Sequence, residues 1–164
     1  MERFFQEQEQ RIDRLMALVR AADFPDAVNG ALTFYDIAIL TCQAMWHMKD
    51  WILNDAEFRA ASREELKRDI YNSHVLQVCA DIANGSKHLS LKSPKIGTGV
   101  SLAELSGIHI EPAKGIFREF YYIHYPNLAD PYHGTEIRDL LEDARRAWQV
   151  IIDKYYLSEE DRST

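Results

Sequence analysis

The stretch Phe34-Tyr35-Asp36-Ile37-Ala38-Ile39-Leu40-Thr41-Cys42-Gln43-Ala44-Met45-Trp46-His47-Met48-Lys49-Asp50-Trp51 decides the fold. Phe34, Ile37, Leu40, Ala44, Met48 and Trp51 recur at three- and four-residue intervals, the spacing of one helical face. The residues between them are also largely apolar, so the helix expected from about Gly30 to Asn54 belongs at the centre of a bundle. Before it, Phe4, Phe5, Ile12, Leu15, Met16 and Val19 keep a similar period among charged residues over positions 2–21, until Asp23-Phe24-Pro25-Asp26 breaks it. A third helix is expected from Ser62, which with Glu65 three residues later forms a capping-box pattern, to about Lys87. Gly85 stands near its end, where glycine terminates helices, and Lys87 and His88 suit the negative end of the dipole. A final helix is expected from Thr135 to Leu157, turning Ile137, Leu140, Leu141, Ala144, Trp148, Ile151, Ile152 and Tyr155 inward.

Between the third and fourth of these helices the character changes. Gly99-Val100-Ser101-Leu102 and Ile108-His109-Ile110 read as short extended pieces, and Phe117 to Tyr125 as a β-prone run. The expected architecture is mainly α: an up-and-down four-helix bundle with a small β-hairpin or meander, at about 97–125, between helices 3 and 4 of a single domain spanning 1–164. Phe120, Tyr122 and His124 alternate with Tyr121, Ile123 and Tyr125, so the run carries aromatic groups on both faces. That pattern fits either packing over the bundle end or a partner or dimer contact.

With 164 residues, 46% of them hydrophobic and 27% charged, the chain can bury a core without metal or disulfide staples. A net charge of -7 argues against a broad cationic surface for duplex DNA. Met1-Glu2-Arg3-Phe4-Phe5-Gln6-Glu7 places charges where a signal peptide needs an apolar run, and no stretch approaches about 18 uninterrupted apolar residues, so no membrane partner and a cytoplasmic location are expected. The two cysteines, Cys42 and Cys79, lie in apolar helical segments without metal-type spacing and read as reduced core residues.

Two clusters carry the candidate chemistry: His47-Met48-Lys49-Asp50-Trp51 and Asp81-Ile82-Ala83-Asn84-Gly85-Ser86-Lys87-His88. At about 100° per residue, Asp81, Asn84 and His88 fall within about 60° of one another on a helix, as do His47 and Asp50. Ile70 and His74 continue the stripe of the second cluster, flanked by Leu66 and Val78. Polar groups on otherwise apolar helices are costly unless they satisfy one another or a ligand, which marks the two stripes as a site facing a shared pocket.

A polar motif at the end of a bundle helix, followed by a loop and one more long helix, resembles the HEPN superfamily of compact helical domains. Its ribonuclease members carry an arginine, often followed by Asn, Asp or His, and a histidine about five residues beyond. Ala83-Asn84-Gly85-Ser86-Lys87-His88 matches at Asn84 and His88, with Ala83 where the arginine stands in the family. Arg68-Asp69-Ile70-Tyr71-Asn72-Ser73-His74 keeps the arginine, but Arg68 and His74 lie about 120° apart on a helix and Arg68 points roughly opposite His88. The pairing of His-x-x-Asp-Trp with Asp-x-x-Asn-x-x-Lys-His is also similar to uncharacterised bacterial helical proteins. The HEPN resemblance implies an RNA- or nucleotide-binding domain, a metal-independent endoribonuclease of a bacterial defence or toxin system, and a homodimer whose site forms across the symmetric contact. His88 would then be the acid or base, Asn84 would hold the phosphate or orient His88, and Lys87 would supply the charge that Ala83 cannot, although an ammonium lacks the guanidinium fork. His47, Asp50, Trp51, His74 and Asp81 would bind or orient, with no cofactor.

Two other readings stand beside this one. Asp50 or Asp81 can bind a histidine ring while Asn84 caps carbonyls, giving a non-enzymatic binding or regulatory module with a structural polar network. His47, Asp50, His74, Asp81 and His88 could instead be metal ligands from facing helices, but no Glu-x-x-His pair occurs on both helices and Asn84 and Lys87 suit a ligand shell poorly, so no metal is expected.

Overall fold

A computed structural model describes residues 4–21, 33–55, 60–85, 101–103, 109–111, 116–118, 120–124 and 128–157. Among these the protein is mainly α, with five helices: α1 (Phe4–Ala21), α2 (Phe34–Leu53), α3 (Ala60–Asn72), α4 (His74–Gly85) and α5 (Ile137–Ile152), the last running into a π-helical turn, Asp153–Leu157. Four short strands, β1 (Ser101–Ala103), β2 (His109–Glu111), β3 (Ile116–Arg118) and β4 (Tyr122–His124), lie between α4 and α5. No helix among the described residues is long and apolar enough to cross a membrane.

α2 starts at Phe34, four residues later than Gly30, because Thr33 caps it. The Thr33 hydroxyl accepts from the Asp36 amide at 3.1 Å, and the Asp36 carboxylate accepts from the Thr33 amide at 3.0 Å. The helix buries Ala38, Ile39, Thr41, Cys42, Ala44, Met45, Trp46, Met48 and Ile52, residues spread over about 220° around its axis, and leaves an exposed strip with Asp36, His47 and Asp50. It is therefore central, packed against both α1 and α4. α1 covers one side with Phe5, Ile12, Met16 and Val19, and Gln8 donates from its amide nitrogen to the Ala44 carbonyl at 2.8 Å, satisfying a polar group in the seam.

The helix expected from Ser62 to Lys87 is two helices. α3 already includes Ala60 and Ala61, so Ser62 lies inside it rather than at its cap, and the backbone leaves helical geometry at Ser73. The Ser73 amide is shared between the Asp69 and Ile70 carbonyls at 3.1 and 3.3 Å, and helical bonding resumes with the Gln77 amide on the Ser73 carbonyl at 3.1 Å. The Gln77 side chain donates to the Tyr71 carbonyl at 2.9 Å, replacing a backbone bond at the break. Asn72 and Ser73, weak helix formers at the joint, offer little local resistance. Beyond it, every residue from Val75 to Ala83 is buried, so α4 is the second central rod.

β1 pairs antiparallel with β4, placing Leu102 opposite Ile123, and β2 pairs antiparallel with β3, placing Ile110 opposite Phe117. The β-prone run from Phe117 is thus divided between two strands, with Phe120 and Tyr121 between them. Tyr121 turns inward against Phe34 and Tyr35, with ring centroids 5.7 and 5.5 Å apart, and its carbonyl accepts from the Ile137 amide at 2.9 Å. β4 is further held by the Ile123 amide on Thr135 and the Gly134 amide on Ile123. Gly134 has φ +74, a left-handed conformation that side chains resist.

α5 begins at Ile137, two residues after Thr135, because the Glu136 carboxylate accepts from the Arg138 amide at 3.0 Å. Burial pushes the Glu136 carboxyl up despite the neighbouring Arg138, whose guanidinium lies 3.9 Å from the Phe34 ring centroid. Ile137, Leu140, Leu141, Ala144, Trp148, Ile151, Ile152 and Tyr155 are all buried. The Trp148 indole donates to the Met45 carbonyl at 2.8 Å, fixing α5 against α2. Charged crosslinks seal the α1–α5 edge: Arg145 to Asp13 and Glu9 at 2.8 and 3.0 Å, and Arg20 to both Glu142 oxygens at 2.7 and 2.9 Å. Cys42 and Cys79 are buried, and contact with the Cys79 thiol together with burial pushes the Cys42 thiol well up, so it stays protonated.

Two outcomes follow for stability. Trp148→Ala, which empties a buried position and deletes the indole bond, should lower unfolding free energy by about 3–5 kcal/mol in urea melts. Glu142→Gln should cost under about 1 kcal/mol because its pair is partly solvated. The Arg20 guanidinium holds the Glu142 carboxyl below the ordinary glutamate range. That contribution is present above about pH 4.3 and lost as pH falls through the lower folded-state value, so urea melts of the two forms should converge at low pH.

Candidate functional site

The second cluster begins at the most buried carboxylate on α4. Asp81 has 0% exposure, between Ala80 and Ile82 on a helix whose neighbours are apolar. Burying an ionised carboxylate costs several kcal/mol unless it is paired, and Asp81 does have an interaction partner. Asn84, one turn on, is half-buried, and Gly85 is the last described residue of α4. Lys87 and His88 lie outside the described residues.

The first cluster has a different environment. His47 and Asp50 are exposed on α2, and Asp50 accepts a hydrogen bond from the Lys49 ammonium at 2.5 Å. Lys49 also stands 4.9 Å from the Trp46 ring centroid, and Trp46 meets Tyr71 of α3 edge-on at 5.8 Å. Trp51 is half-buried and packs against the core. Arg68 is exposed on α3.

His74 belongs to a third group. It opens α4, whereas Asn84 stands ten residues later near the helix's other end, so the two are separated by about 15 Å of helical rise. Sharing a stripe does not make them one pocket. His74 meets Asp130 instead, a residue of the turn before α5: its Nε2 is 3.3 Å from Oδ1 and 3.2 Å from Oδ2. Asp130 is prepared for this role by its own backbone, because Oδ1 also accepts from the Tyr132 amide at 2.9 Å, closing an Asx turn. The Tyr132 ring stacks on the imidazole with centroids 5.7 Å apart and an interplanar angle of 22°. Tyr132 donates its hydroxyl to Asp143 of α5 at 3.3 Å, and Asp143 pairs in turn with Arg146. Burial first, and then the Asp143 charge, pushes the Tyr132 hydroxyl up to about 12, so at neutral pH it is a hydrogen-bond donor and not a phenolate.

Chemically, this is a carboxylate-held imidazole. A hydrogen on Nε2 directed at Asp130 leaves Nδ1 as the basic nitrogen, and the aromatic stack fixes the ring plane. Among the described residues no group of three or more His, Cys, Asp or Glu side chains could hold a metal ion.

No protein-family model, curated protein or solved structure matches the chain.

Sequence reasoning singled out His74 but missed Asp130, Tyr132 and Asp143. Asp130-Pro131-Tyr132-His133-Gly134 does carry a turn signature, an aspartate two residues before the amide it binds and a glycine at the close. Nothing local indicates that this turn would meet a histidine 56 residues earlier. Asp130→Ala, which strands the Tyr132 amide and the imidazole together, should reduce stability by about 1–3 kcal/mol. A double-mutant cycle with His74→Ala should return a coupling of about 0.5–1 kcal/mol, read from urea melts.

Proposed function

We propose that the protein is a HEPN-like domain, an up-and-down four-helix bundle in which α3 and α4 together supply the third helix, that binds RNA or nucleotides in the cytoplasm and acts as a metal-independent endoribonuclease in a homodimer. The observation that carries this reading is Asp81: a fully buried carboxylate on an apolar helix, one turn before Asn84, in the same sequence cluster as Lys87 and His88. In this reading Asn84 holds a phosphate oxygen or orients His88, Lys87 supplies positive charge, and His88 transfers the proton. The chemistry asks for a base at the ribose 2′-hydroxyl and an acid at the leaving oxygen; a partner copy would provide the second histidine.

A second reading, a non-enzymatic binding or regulatory module with a structural polar network, is favoured by a different observation. Asp50 is engaged by Lys49, and His74, Asp130, Tyr132 and Asp143 bond to one another. Incubating the purified protein with mixed RNAs in chelator separates the two. The nuclease reading expects cleavage that falls by at least about 100-fold in His88→Ala. Intact RNA with the unaltered protein, together with a large stability loss in His88→Ala, would instead support the scaffold.

A further inference from the structure

We infer that α3 is a hinged arm that opens about Ser73, latched shut through Asp69, while α4 remains fixed in the core. The first ground is the joint itself. Ser73 interrupts helical geometry between the two rods, and the Gln77 side chain, not a backbone amide of a continuous helix, holds the Tyr71 carbonyl. A joint whose backbone bonds pass through Ser73, its amide on the Asp69 and Ile70 carbonyls and its carbonyl accepting from the Gln77 amide, is where one helix tilts with least disturbance of the other.

The second ground is the difference in burial on its two sides. From Val75 to Ala83, α4 is buried without interruption. From Arg63 to Asn72, α3 buries only Leu66 and Ile70, and Tyr71 is 46% exposed. Local opening takes the least free energy where few apolar side chains must be uncovered, which places α3 well below α4 in local stability.

The third ground is how each side is fastened. His74, immediately after the joint, is clasped by Asp130 and stacked on Tyr132, tying the start of α4 to the turn before α5. Immediately before it, α3 is fastened at its edge to the π-helical turn after α5: Asp69 accepts from Lys154 at 2.6 Å and from the Tyr155 hydroxyl at 2.8 Å, and Lys154 also reaches Glu65 at 3.2 Å. Lys154 and Asp69 are partly solvated, at 48% and 32% side-chain exposure, so this fastening is one that salt weakens. Opening would uncover Leu66, Ile70 and the edge of Trp46 that Tyr71 covers, leaving the α2–α4–α5 packing in place.

Native-state hydrogen exchange read by mass spectrometry on the full chain tests this. Peptides from 60–72 should exchange at least about tenfold faster than those from 74–85, and Asp69→Asn should accelerate 60–72 by a further threefold or more while leaving 74–85 and the thermal midpoint nearly unchanged. Equal rates for the two segments would overturn the hinge. Faster exchange in 60–72 that does not respond to Asp69→Asn or to added salt would overturn Asp69 as the latch, and equal acceleration of both segments by Asp69→Asn would show one cooperative unit and overturn the arm.

Discussion

The organising constraint is that α4 is buried on every side from Val75 to Ala83 and α2 over most of its surface, apart from an exposed strip that carries Asp36, His47 and Asp50. Nine consecutive residues of α4 are buried, and α2 hides side chains over about 220° of its circumference. Two such rods must lie against each other and be wrapped by the remaining helices. α1 and α5 do the wrapping, each offering one apolar stripe inward. Burial of single Leu, Ile or Met side chains at about 1.5–3 kcal/mol apiece supplies the driving force, while the ion pairs between α1 and α5 set their alignment.

Within that frame several polar groups are matched across helices or placed at a rod's end. Gln8 and Trp148 donate to the adjacent carbonyls Ala44 and Met45 of α2 from two different sides, so the outer helices are registered on the same turn of the central one. Asp81 is the conspicuous exception in cost, a carboxylate at full burial in the middle of the apolar rod. The His74 group shows the other solution: a turn folds its own aspartate into an Asx geometry and presents it, already ordered, to an imidazole at the helix start. The two ends of α4 therefore differ, with a carboxylate-held imidazole at one and the half-buried Asn84 near the other.

Much of this was legible in the residue pattern, and the exceptions are instructive. All eight positions assigned to the inner face of the last helix are buried, since a strong stripe on one face leaves a helix only one way to lie. The starts of α2 and α5 were misjudged by two to four residues because Thr33 and Glu136, acting as caps, set them more sharply than the apolar period does. The division at Ser73 was missed because the apolar stripe runs through the joint without a proline or glycine to mark it. In the site, His74 was drawn together with Asn84 by angle alone, and the length of the rod separates them.

What the residue order determined by itself was the periodicity: which segments are helical, which face of the last helix is apolar, and that α2 belongs at the centre. These follow from local geometry and the cost of exposing apolar surface, both readable within a window of a few turns. Which polar side chains meet was decided only by the tertiary structure. The meeting of His74 with Asp130, of Asp69 with Lys154 and Tyr155, and of Gln8 with Ala44 depends on how helices far apart in the chain are brought into register. A hydrogen bond has a reach of about 3 Å, so that register must be set by packing before such a bond can form.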